Sequence, residues 1–299
     1  MKPIGVLLMA ALGLAAQLSP MPQRFPMPDS HNCYPYEGQW ADRIDRALKS
    51  GFPVAIEQDI ALFDGKPVVT HTAKTTGVEP TLKQHFFERV RPIVEQALRE
   101  NRRDQWPLIV VHFDFKDLQA PLLRAVWEVL GEYEPWIATA ARTGDLSKIS
   151  PLEMKPLLVL TEEADEQEQV FYDAVPVGGK LRVFGSAHTN EIVPPTNYRR
   201  WLNYSWHAVE PEGQPKAGDW SREDAARLKA LVDGAHKLGY WIRFYTLDGF
   251  TQAENHGWDA NYNFGSRAAV ELRWRAAIQA GVDLIASDQY EDLAKAFGR

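Results

Sequence analysis

Residues 54–62 read VAIEQDIAL and residues 108–116 read LIVVHFDFK. In an extended chain successive side chains point to opposite faces, so each stretch sorts into two rows. In the first, Val54, Ile56, Ile60 and Leu62 share a face whose only polar member is Gln58, and Ala55, Glu57, Asp59 and Ala61 share the other. In the second, Ile109, Val111, Phe113 and Phe115 form a wholly apolar row opposite Leu108, Val110, His112, Asp114 and Lys116. A strand that is apolar on one side and carries small residues and carboxylates on the other suits a parallel barrel. The apolar row meets the surrounding helices, and the polar row points to the axis near the C-terminal mouth.

Similar β-rich runs occur at Leu157–Leu160, Leu181–Phe184, Leu202–Trp206, Tyr240–Thr246 and Leu284–Ala286, with a short one leading into His31. Helical patterns lie between them at Gln39–Lys49, Leu82–Glu100, Leu118–Leu130, Ala225–Leu238 and Arg267–Ala280. The pattern at 225–238 is the clearest. Ser221 and Asp224 make an approximate capping box ahead of it, and Gly239 stops it. Strand–helix alternation over 299 residues predicts a single-domain α/β chain, a (β/α)8 TIM-type barrel of eight units spanning 30–299. Only the stretch 161–200 is poorly periodic.

Ahead of the barrel, Lys2 precedes an apolar run, Ile4–Ala16, too short to anchor in a bilayer, and Gly13-Leu14-Ala15 supplies small residues for cleavage. This predicts a signal peptide over 1–15, a proline-rich linker over 16–29 and an exported protein, periplasmic or secreted. Cys33 is the only cysteine, so no internal disulfide forms. A formal net charge of −7 argues against nucleic acid as a partner, since such proteins carry basic surfaces. The ten tryptophans are read as core and rim packing.

Glu57 and Asp59 share the inward row of their strand, and Asp114 joins them from the next. Three carboxylates held together repel, which predicts a divalent cation or raised pKa values; oxygen-only ligands favour Ca²⁺ or Mg²⁺ over zinc. Lys116 lies further toward the mouth on the same row, and Arg243 faces inward from Trp241–Tyr245. Both would place positive charge where a phosphoryl group gathers negative charge. His112 lies deeper and is read as a core histidine. His31 and His71 supply the two acid/base groups. Asp64-Gly65 marks a hairpin turn. A strict two-residue turn would put His71 opposite Gln58, on the wrong face. A bulged three-residue loop, Phe63–Gly65, would put it opposite Glu57, and this register is the expected one.

Taken together, Ser30-His31-Asn32, Ala47-Leu48-Lys49-Ser50-Gly51, Glu57-Gln58-Asp59, Asp64-Gly65-Lys66-Pro67 and His71 resemble the superfamily of phosphatidylinositol-specific phospholipases C and glycerophosphodiester phosphodiesterases. The resemblance implies His31 as base, His71 as acid and Asn32 as a further metal ligand. Asp114-Phe115-Lys116 is similar to an acidic-x-Lys element that completes the metal site and holds phosphate. Tyr245-Thr246 stands where many glycerophosphodiesterases carry Trp-Thr, placing Tyr245 in the substrate pocket, and Gly281-Val282-Asp283 through Ser287-Asp288 resembles their last strand. Asn32 departs from the His-Arg pair of glycerophosphodiesterases, and the interval after His71 is too short for their inserted subdomain. Compact bacterial phospholipase C-like enzymes are the closer analogy.

The expectation is a metal-dependent phosphodiester hydrolase acting on glycerophosphodiesters or phospholipid headgroups, with transient contact to a membrane surface. Two other classes stand beside it. One is a secreted glycoside hydrolase using Glu162 and Asp248. The other is a barrel that binds headgroups without turnover.

Overall fold

In the computed structural model, which describes residues 26–35, 39–190, 193–254, 259 and 261–299, eight parallel strands close into a ring. They are β1 (Met27–Ser30), β2 (Val54–Phe63), β3 (Ile109–Phe115), β4 (Leu157–Thr161), β5 (Phe184–Ser186), β6 (Arg199–Ser205), β7 (Trp241–Tyr245) and β8 (Leu284–Ser287). Each pairs with its sequence neighbours, and β1 closes the ring against both β2 and β8. The chain is therefore a (β/α)8 barrel. The expected signal peptide, 1–15, lies outside the described residues. β1 takes up the last three residues of the stretch expected as linker, 16–29.

The helices are α1 (Arg43–Lys49), α2 (Glu88–Glu100), α3 (Ala120–Glu132), α4 (Asp165–Glu168), α5 (Arg222–Leu238), α6 (Arg267–Ala280) and α7 (Tyr290–Ala296). α5 carries the capping box of Ser221 and Asp224 and ends at Gly239, whose φ of 97° a side chain would resist. Among the described residues no helix is long and apolar enough to cross a membrane. Outward rows such as Ile109, Val111 and Phe113 are fully buried against the helices.

The poorly periodic stretch departs from the regular pattern. No helix forms between β5 and β6 among the described residues, and Pro194-Pro195 in that connection supplies no backbone N–H to build one. The run expected as one strand, Leu181–Phe184, divides. Lys180–Leu181 joins a small antiparallel sheet with Thr139–Ala141, and Phe184–Ser186 enters the barrel.

The hairpin after β2 corrects the expected register. Phe63 pairs with Lys66, Leu62 with Pro67 and Ala61 with Val68, so the loop is the strict two-residue turn. Asp64 and Gly65 both adopt left-handed backbone, φ 46° and 72°, which gives the twist that a tight hairpin needs. The returning strand ends at Val69, and the amide of Thr70 still reaches Asp59 O at 3.0 Å. Beyond it the chain bends. His71 is then no longer bound by strand alternation, and it turns to the inward side without the bulge.

Candidate active site

At the C-terminal mouth a cavity of about 440 Å³ is lined by His31, His71, Glu57, Asp59, Asp114 and Lys116, among others. Pairing of β2 with β3 sets Glu57 beside His112 and Asp59 beside Asp114. One oxygen from each of Glu57, Asp59 and Asp114 lies within 4.8 Å of the others. Burial, then the negative charge of Asp59, raises the Asp114 pKa. Burial also opposes ionisation of Glu57, but His31, Arg243 and His112 outweigh it and hold that carboxyl well below its usual range.

The carboxylates have more basic company than their sequence rows suggest. Lys116 Nζ sits 2.7 Å from Asp59 Oδ2 and 2.8 Å from Asp114 Oδ2. Burial disfavours its charge, but these two carboxylates raise its pKa. The trio nevertheless suits a hard divalent cation, because every donor is an oxygen and the three lie within 4.8 Å of one another. Asn32 lines the same cavity, with its Oδ1 accepting from Tyr34 Oη at 2.6 Å and its backbone N–H donating to Glu57 Oε2 at 3.0 Å.

Both histidines are held through Nδ1 by a carboxylate. His31 Nδ1 is 2.8 Å from Asp288 Oδ1, just beyond β8, because β1 and β8 pair Ser30 with Ser287. The other Asp288 oxygen accepts from Arg43 Nη2 of α1 at 3.0 Å. Burial works against a charged His31, but Glu57 and the Asp288 bond prevail and raise its pKa to about 9. The ring stacks on Tyr245 at 6.3 Å. His71 Nδ1 lies 2.9 Å from Asp59 Oδ2 and 2.8 Å from Tyr34 Oη.

Arg243 is buried, bonded to Asp29 and to Asn203 Oδ1 at 3.1 Å. Its Nη2 lies 3.6 Å from Glu57 Oε2 and makes no hydrogen bond. His112 is buried, as expected, and bonds Glu162 Oε1 at 2.6 Å beneath the carboxylates. Burial raises and His112 lowers the Glu162 pKa, and the net shift is downward.

The pair expected of a glycoside hydrolase is not assembled across the cavity. Glu162 lines it, whereas Asp248 is buried and accepts from Ser287 Oγ and Asp288 N, each at 2.7 Å. Sequence reasoning passed over Asp29, Tyr34, Arg43, Asn203 and Asp288 as site residues. Asp29 was within reach, since it shares the inward row of β1 with His31 two positions on. Asp288 and Arg43 become visible only once the ring closes.

No family model matches the chain, and no curated protein matches it. Among solved structures it is similar to a glycerophosphoryl diester phosphodiesterase from Parabacteroides distasonis, 13% identical with a TM-score of 0.44, covering 92% of this chain and 87% of that one. It is also similar to the HPPK-DHPS of Plasmodium falciparum, 9% identical with a TM-score of 0.45, covering 93% of this chain and 47% of that one. At these identities and scores, neither likeness says what this chain does.

Proposed function

We propose that this barrel is a metal-dependent phosphodiesterase of exported location, hydrolysing glycerophosphodiesters or phospholipid headgroups at a membrane surface. One observation carries the reading: His31, fixed at Nδ1 by Asp288, and His71, fixed at Nδ1 by Asp59 of the carboxylate trio, open onto the same cavity as that trio and a lysine. Fixing Nδ1 directs the chemistry of each ring to Nε2.

Glu57, Asp59 and Asp114, with Asn32, would hold Ca²⁺ or Mg²⁺, which when bound supplies a positive charge that polarises a phosphate oxygen. His31 takes the proton of the nucleophile, water or a neighbouring substrate hydroxyl, and His71 gives one to the departing oxygen. The base role needs His31 neutral. Glu57 and Asp288 together keep it protonated, and a cation held by Glu57 would offset the pull of that carboxylate. Lys116 and the unbonded Nη2 of Arg243 offer positive charge to the phosphoryl oxygens. Tyr245 forms a wall of the pocket. The deciding experiment is phosphorus NMR of the purified protein with a panel of glycerophosphodiesters and phospholipids plus Ca²⁺ or Mg²⁺. Turnover supports the reading, and the product signal separates a cyclic from an open phosphate. Binding without product would make the chain a headgroup-binding barrel.

A further inference from the structure

Thr246 directly follows β7 with φ of 66°, a left-handed backbone that a β-branched residue resists. Such strain persists only where the surroundings over-determine it. Here they do. Gln214 Nε2 donates to both Thr246 O and Thr246 Oγ1, each at 2.7 Å, and Trp206 N donates to Oγ1 at 3.2 Å. Ser205 Oγ lies 3.3 Å from the same hydroxyl. Gln214 and Thr246 are both buried, and Gln214 Oε1 has no partner, so the hydrogen bonds of that side chain both go to Thr246. A glycine would adopt this backbone without strain but has no hydroxyl for these donors.

The turn has a geometric result. After Tyr245 the chain leaves the barrel axis: Leu247 is fully buried, and its carbonyl accepts from Trp274 Nε1 of α6 at 3.0 Å. Tyr245 therefore ends its strand with its ring on the cavity side, stacked on His31 at 6.3 Å and 22° and lying under Arg243 at 5.5 Å.

We infer that Gln214 and Thr246 are positioning residues: the clamp they form aims Tyr245 across His31 and so adds to the Asp288 bond a second constraint on that imidazole in the mouth. The use made of the stack rests on the phosphodiesterase reading; the clamp itself does not.

The test follows the ring protons of His31 by NMR, identified as the signals lost in His31→Ala, because a stacked tyrosine shifts them by its ring current. Tyr245→Leu sets the unstacked position. Gln214→Leu and Thr246→Val, which remove the clamp's donor or its hydroxyl, should move the His31 signals toward that position, and Thr246→Ser should restore them. Turnover of a soluble phosphodiester should fall by about tenfold in the two clamp variants, within what small misplacements cost. Thr246→Gly, which relieves the backbone and removes the hydroxyl, serves if either variant fails to fold. Signals unchanged by loss of the clamp, or unchanged in Tyr245→Leu, overturn the inference. A wild-type protein that turns over no phosphodiester overturns the proposed function, while the His31 signals still decide the clamp.

Discussion

Asp288 Oδ1 lies 2.8 Å from His31 Nδ1, although 257 positions separate the two residues. Asn32 Nδ2 donates to the same oxygen at 3.0 Å and Arg43 Nη2 to the other at 3.0 Å, so the carboxylate that orients His31 is itself fixed. In Asp288→Asn the amide can offer Nδ1 a donor, which favours the wrong tautomer. Turnover should fall at least ~10²-fold, on the scale of losing one preorganised electrostatic contact. The check is kcat together with a melting curve. A folded variant with normal kcat would remove Asp288 from the mechanism.

Glu57, Asp59 and Asp114 bring three carboxylates within 4.8 Å. Chelator should abolish turnover, and Mg²⁺ or Ca²⁺ should restore it. Glu57→Gln and Asp59→Asn should each be at least ~10²-fold slower. Full activity in chelator would leave the positive charge to Lys116, Arg243 and the histidines and end the metal proposal.

Lys116 touches both Asp59 and Asp114, so it could act on the phosphate or merely balance the carboxylates. Lys116→Met should slow metal-saturated turnover by more than it changes metal affinity, measured by calorimetry. If affinity changes and saturated turnover does not, the lysine serves only the carboxylates.

The two histidines should separate by leaving group. A nitrophenolate departs without a proton, whereas an alkoxide needs one. His71→Ala should therefore lose at least ~10²-fold more activity on an alkyl phosphodiester than on a nitrophenyl analogue, the range of general acid catalysis. His31→Ala should damage both alike. Sparing of His31→Ala on the nitrophenyl substrate would exchange the two roles.

Asp248 predicts a pH dependence of stability. Burial first, then the neighbouring Asp288 charge, pushes its pKa from 3.8 to about 7. The native state thus holds this proton more tightly than the unfolded chain does. Stability from this group is present below about pH 4 and is lost as pH rises through 7. Asp248→Asn removes the titration. Its melting temperature relative to wild type should rise between pH 4 and pH 8 by on the order of 5 °C. A pH-independent difference would mean that Asp248 does not titrate in that window.

Much of the fold was legible because barrel strands write alternation into the chain. β2 and β3 show apolar outward rows and carboxylate-bearing inward ones, and those rows delivered Glu57, Asp59, Asp114 and Lys116 to one mouth. The hairpin register was not legible, because Asp64-Gly65 satisfies both turn lengths and only the backbone chooses. β5 was misplaced because a three-residue strand is too short to carry a period. Arg43 was invisible for another reason. It sits on a short helix, where charged residues ordinarily face solvent, yet it reaches inward to Asp288.

The seam between β1 and β8 also gives the barrel a timetable. During synthesis His31 emerges early and Asp288 late, and until the final strand docks there is neither a closed ring nor an oriented imidazole. Contacts of such long sequence separation form slowly. Folding and chemical competence should therefore arrive together. An unfinished chain would lack the oriented His31 that the proposed phosphodiester chemistry needs.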